Sequence, residues 1–163
     1  MSGATPVRPA IAIVHYTAPP IIGGVEAVMA AHVRSLSRAG YPVTVLAGRG
    51  KAAALDPAAF VHVPELDSLR SKDTSAALRA GHVPADFRER VTLTRAVLEP
   101  HLARFDIVIV HNIFFKHFNL PLTAALWEML DDRVLPKCIA WGHDFSWTSP
   151  SSRKAVYERY PWD

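Results

Sequence analysis

The chain has 163 residues, 50% of them hydrophobic and 20% charged, with 18 Lys+Arg against 15 Asp+Glu. That composition fits one globular domain with a real core and excludes a disordered chain; a single cysteine, Cys138, excludes a disulfide scaffold and suits a reducing compartment. Thirteen of the 18 basic residues are arginine and no Lys/Arg run exceeds two, so the basic stripe that nucleic acid binding needs is missing. No apolar run approaches the roughly 20 residues that cross a bilayer, and the start, Met-Ser-Gly-Ala-Thr-Pro, lacks the features of a signal peptide. The chain therefore reads as soluble and cytoplasmic.

In chain order, Ala10 to His15 is a continuous apolar run of strand length. Apolar character on both faces belongs in the middle of a parallel sheet covered by helices. Val25 to Ala39 follows with helical spacing through Val25, Val28, Met29, His32, Val33 and Leu36, and Gly40 stands where a left-handed terminator is expected. Pro42 to Ala47 and Phe60 to Val63 predict the second and third strands. The stretch from Gly48 to Pro84 is otherwise poor in signal and predicts loops with at most one short helix, of the kind that is functional or mobile.

Ala85 to Phe105 predicts a helix that Pro100 should kink or split. Asp106 to His111 repeats the character of the first strand. Asn119 is placed to cap a third helix, with Pro121 in its first turn and Leu122, Leu126, Met129 and Leu130 facing inward. Asp131 and Asp132 read as its solvated end. Lys137 to Trp141 predicts a fifth strand, buried, with an inert Cys138 inside it. Alternating strands and helices give an α/β, Rossmann-like three-layer sandwich with a mostly parallel central sheet.

In such sheets ligands bind at the carboxyl ends of the strands. Three loops there carry suitable chemistry. Gly23 and Gly24 precede a helix, so their N–H groups and the helix terminus favour an anion such as a diphosphate; a tight turn is the plainer alternative. They are followed by no Lys-Ser/Thr and lack the third spaced glycine, and Gly48-Arg49 ends the second strand where a nicotinamide ribose would want an acid. NAD is therefore disfavoured, and no cofactor is assigned. His111-Asn112 and His143-Asp144 end two other strands, and imidazoles there can bind sugar hydroxyls or phosphate, or act as bases near neutrality. The spacing is not that of a helical zinc motif, and no metal is assigned.

The order of these motifs resembles the N-terminal half of GT-B glycosyltransferases of the large retaining family 4. The residues that carry it are Gly23-Gly24-Val25-Glu26 at a helix start, Leu36 to Gly40 before Tyr41 to Val45, and His111-Asn112 and His143-Asp144 at strand ends. The resemblance spans about residues 10 to 150. It implies that Gly23 and Gly24 approach the donor diphosphate, that His143 lies near the transferred sugar with Asp144 beside it as the catalytic pair, and that His111 and Asn112 line the acceptor cleft. Many members have His-Gly where this chain has His143-Asp144, and the loop from Tyr16 to Gly23 carries two prolines.

The resemblance also implies a nucleotide-sugar donor, a sugar or lipid-linked acceptor, and a second, nucleotide-holding domain with paired glutamates that these 163 residues do not include. Since donors from both halves stabilise the leaving diphosphate, the chain alone is expected to be inactive. Two other readings fit the residues: a non-catalytic, flavodoxin-like module binding phosphate or sugar, and a small hydrolase using His111, His143 and Asp144. Arg153, Lys154, Tyr157, Arg159, Tyr160 and Trp162 could touch an anionic membrane at the inner face, although a solvated helix face is the plainer reading.

Overall fold

The computed structural model describes residues 8–135, 137–154 and 156. Five strands, β1 (Ile11–Thr17), β2 (Val43–Arg49), β3 (Ala59–His62), β4 (Ile107–His111) and β5 (Cys138–Trp141), form one sheet in the order β3-β2-β1-β4-β5. Every pairing is parallel. β1 lies at the centre, and all seven of its residues are buried, which is why its run is apolar without alternation.

Alternate residues of the central strands feed two separate cores. Ala12, Val14, Leu46, Val108 and Val110 pack with Leu98, Leu102, Leu122, Leu126 and Met129. These last come from α3 (Phe87–Leu102) and α4 (Leu120–Asp131). On the opposite face Ile11, Ile13, Val43, Val45 and Ile109 meet Met29 and Val33 of α1 (Gly24–Arg38). Each fully buried side chain of this size contributes about 1.5–3 kcal/mol. The result is the Rossmann-like three-layer sandwich that the strand and helix pattern predicts.

The helix ends follow their local chemistry. After α1, Gly40 takes a left-handed φ of 82°, Gly40 N–H reaches the Ser37 carbonyl at 2.9 Å, and Tyr41 N–H reaches that of Leu36 at 3.1 Å. That pair of bonds closes the helix in a Schellman motif. Asn119 caps α4, its Oδ1 accepting from Leu122 N–H at 3.3 Å. The same oxygen accepts from Ser71 at 2.7 Å, and Asn119 Nδ2 donates to the Glu65 carbonyl at 3.1 Å.

Those two bonds order part of the stretch whose sequence signal is poor. It holds α2 (Lys72–Arg79) and three 3-10 turns, with Arg49 paired to Asp67 at 3.0 Å. Pro100 does not split α3: it falls in the last turn, where little ladder remains to be lost. The expected burial of the fifth strand is corrected. β5 is an edge strand, with Ile139 44% and Trp141 42% exposed and Cys138 half-buried, because only β4 pairs with it among the described residues. α5 (Pro150–Arg153) follows, with Arg153 and Lys154 exposed; Tyr157, Arg159, Tyr160 and Trp162 lie outside the described residues. Among the described residues no helix is long and apolar enough to cross a membrane.

Candidate functional site

The chain runs outward from β1 to β2 and β3 on one side, and to β4 and β5 on the other. The connections at the carboxyl ends of β1 and β4 therefore diverge, which marks the usual ligand position in open α/β sheets. β1 ends there in His15, Tyr16 and Thr17, and β4 in His111. Pairing of His111 with Trp141 sets Gly142, His143 and Asp144 against the same rim. Four of the six residues singled out by sequence, His111, Asn112, His143 and Asp144, are thus brought into direct contact.

His111 is fully buried and sits between two other imidazoles. Its Nδ1 lies 2.9 Å from His143 Nε2, and its Nε2 lies 3.2 Å from Nδ1 of His32 on α1. His15 Nδ1 donates to the His111 carbonyl at 2.8 Å. Burial, followed by the charges that His32, His143 and His15 would carry, pushes the His111 imidazole down to about 3. Burial likewise lowers His15 and His32. The indole of Trp141 meets His32 edge-on at 4.5 Å and stacks over His111 at 6.1 Å.

Asn112 organises the loop after β5. Its backbone is left-handed, with φ 61°, a conformation that asparagine tolerates better than most residues. Its N–H donates to the Trp141 carbonyl at 2.9 Å. Its side-chain Oδ1 accepts from the N–H groups of His143 at 3.2 Å and Asp144 at 3.4 Å, while Nδ2 donates to Asp144 Oδ1 at 2.9 Å. Lys116, whose side chain is only 5% exposed, supports the other carboxylate oxygen at 3.3 Å. The Asn112 hydrogen bond first, and Lys116 second, hold the Asp144 carboxyl below the usual range. Lys116 also reaches Ser152 at 3.4 Å and lies over the Phe118 ring at 5.2 Å.

Gly23 and Gly24 stand at the start of α1, as N-cap and first helical residue. The Glu26 carboxylate folds back over Gly23 and accepts a hydrogen bond from Thr17, while the space beside Gly24 is open. Glu26 acts electrostatically on His15, and His15 bonds to His111, so the glycine loop and the imidazole cluster share one connected rim.

Asp144 bonds to Asn112 and Lys116 and to neither imidazole, so the His/Asp pairing that a hydrolase would use is not formed. Among the described residues no three His, Cys, Asp or Glu side chains converge as metal ligands. Burial raises the Cys138 thiol to about 11, which keeps it protonated at neutral pH. Asp131 and Asp132 are exposed at the helix end, where Asp132 pairs with Arg95.

Sequence reasoning did not single out His15, Thr17, Glu26, His32 or Lys116 as site residues. For His32 a signal existed, since an imidazole stood among the apolar positions that α1 turns inward. Comparison of the chain with protein-family models, curated proteins and solved structures finds no match.

Proposed function

We propose that the chain is the acceptor-side domain of a nucleotide-sugar-dependent retaining glycosyltransferase. The observation that carries this reading is the joined pair His111–His143 and Asn112–Asp144 at the carboxyl ends of β4 and β5. It sets the half-buried His143 imidazole and the exposed Asp144 carboxylate in the loop that follows Trp141, whose indole is 42% exposed. Acceptor and donor groups next to an aromatic face suit a hexose, which presents hydroxyls on its rim and C–H groups on its faces. In this reading His143 and Asp144 face the transferred sugar, His111 holds His143 in orientation, and Asn112 fixes the loop that carries them. The donor diphosphate lies toward Gly24, and a second domain supplies the nucleotide contacts. A lipid-linked or free sugar serves as acceptor.

Imidazole and indole NMR signals of the chain, followed during titration with a methyl hexoside, a nucleoside diphosphate hexose and inorganic pyrophosphate, test the reading. The two sugar-bearing ligands are expected to move His143 and Trp141, and Asp144→Asn to weaken the response. Response to pyrophosphate alone would overturn the sugar site in favour of a phosphate-binding module, and response to none would overturn both. Sugar transfer by these 163 residues alone, above a His143→Ala control, would overturn the need for a second domain.

A further inference from the structure

His143, His111 and His32 are joined ring to ring across three separate elements, the loop after β5, the end of β4 and the middle of α1. A neutral imidazole has one N–H donor and one acceptor nitrogen. His111 bonds through both nitrogens, so it must donate to one neighbour and accept from the other. The row is therefore directional. The two outer rings are half-buried and reach solvent, whereas the middle ring is sealed.

We propose that His143, His111 and His32 form a relay that carries a single proton between the solvent-facing side of His143, in the loop after β5, and the solvent beside α1. With all three rings protonated at Nε2, His143 donates to His111 Nδ1 and His111 donates to His32 Nδ1. A proton arriving at His143 Nδ1 makes that ring cationic. The Nε2 proton of His143 then passes to His111 Nδ1 as the Nε2 proton of His111 passes to His32 Nδ1. His143 and His111 end neutral, His32 carries the charge, and loss of its Nε2 proton to water completes the transfer. One proton enters, one leaves, and the row ends with each ring protonated at Nδ1.

The surroundings fit that use. His111 is a poor resting place for charge, being buried and flanked by other imidazoles, so the proton passes through without stopping. Trp141 packs edge-on against His32 and stacks over His111, so the ring pair that ends the row at α1 has an aromatic neighbour rather than a charged one. The charged and titratable groups around the row are His15 from β1, Glu26 near His15 at the start of α1, Asp144 beside His143, and Lys116 behind Asp144. None of the four is hydrogen-bonded to the three rings; the His15 ring bonds to the His111 backbone carbonyl instead.

A row with both hydrogen bonds intact holds one extra proton, since two cationic ends would both have to donate to His111. Imidazole NMR of the nitrogen-15-labelled chain between about pH 5 and 8 measures this directly. Expected is one shared midpoint for His32 and His143, with combined amplitudes equal to a single proton. In His32→Gln, a mild change at a half-buried helix position, His143 is expected to titrate to full amplitude at a shifted midpoint. Separate full-amplitude titrations of His32 and His143 in the unaltered chain would overturn the relay, as would a His143 midpoint unmoved by His32→Gln. No sugar or nucleotide is used, so the relay and the sugar reading stand or fall separately.

Discussion

The Glu26 carboxylate occupies the space that any side chain at residue 23 would need. Gly23 has φ −170°, an extended backbone open to every residue, so crowding by Glu26 rather than conformation makes glycine the residue that fits. Gly23→Ala is expected to push Glu26 away from Thr17 and cost about 1–2 kcal/mol, the scale of a lost charge-assisted hydrogen bond. In a Glu26→Ala background the same change should cost close to nothing. Urea unfolding of the four proteins closes the cycle, and equal costs in both backgrounds would refute the steric account.

Asn112 makes three side-chain hydrogen bonds from a left-handed backbone. Asn112→Ala loses the bonds and also strains the backbone, with an expected cost of about 2–3 kcal/mol; Asn112→Gly loses only the bonds and should cost about 1 kcal/mol less. Thermal unfolding ranks the two. A glycine variant less stable than the alanine variant would contradict the reading of φ at this position.

Acid should destabilise the fold well before its carboxylates titrate. His15, His32, His111 and His117 all have imidazole pKa values lowered from 6.5, chiefly by burial, so the unfolded chain binds protons that the folded chain refuses. Their contribution is fully present above pH 6.5 and declines as pH falls towards the folded values, about 3 for His111. Between neutrality and pH 5, His111 alone removes about 2 kcal/mol. Asp144, held low by Asn112 and Lys116, adds loss in the same direction at still lower pH. Unfolding midpoints measured from pH 7 to pH 5 should fall steadily, and a flat profile would show that the imidazoles are not shielded.

The fold was legible where burial acts on both faces of an element. β1 and β4 announce themselves as uninterrupted apolar runs because α1 covers one side and α3 and α4 the other. Gly40 and Asn119 are legible for a different reason: each residue type does a backbone job that few others can. Composition cannot separate an edge strand from a central one, and so Cys138 to Trp141 reads as buried when it is half open. The turns between β2 and α2 owe part of their order to Asn119, dozens of residues away, a partner that no local pattern reveals.

In the site, the residues at strand ends were legible from topology alone, since an apolar run followed by a polar pair marks the rim. Lys116 was not, because its burial depends on Asp144 and Phe118 closing over it. Glu26 was quoted only as part of a motif. That it turns back over Gly23, instead of facing solvent, follows from Thr17 waiting at the end of β1.

Asn112 holds the loop after β5 mostly through that loop's own backbone: two of its three side-chain bonds, and its N–H bond to Trp141, go to main-chain atoms. The path of residues 141–144 is thus written largely at another address in the chain. Side chains at 143 and 144 can be exchanged while the loop keeps its course. Such a division separates the loop's scaffold from the side chains it presents, and under the proposed sugar-binding reading it marks these two positions as the place to begin when retuning the ligand.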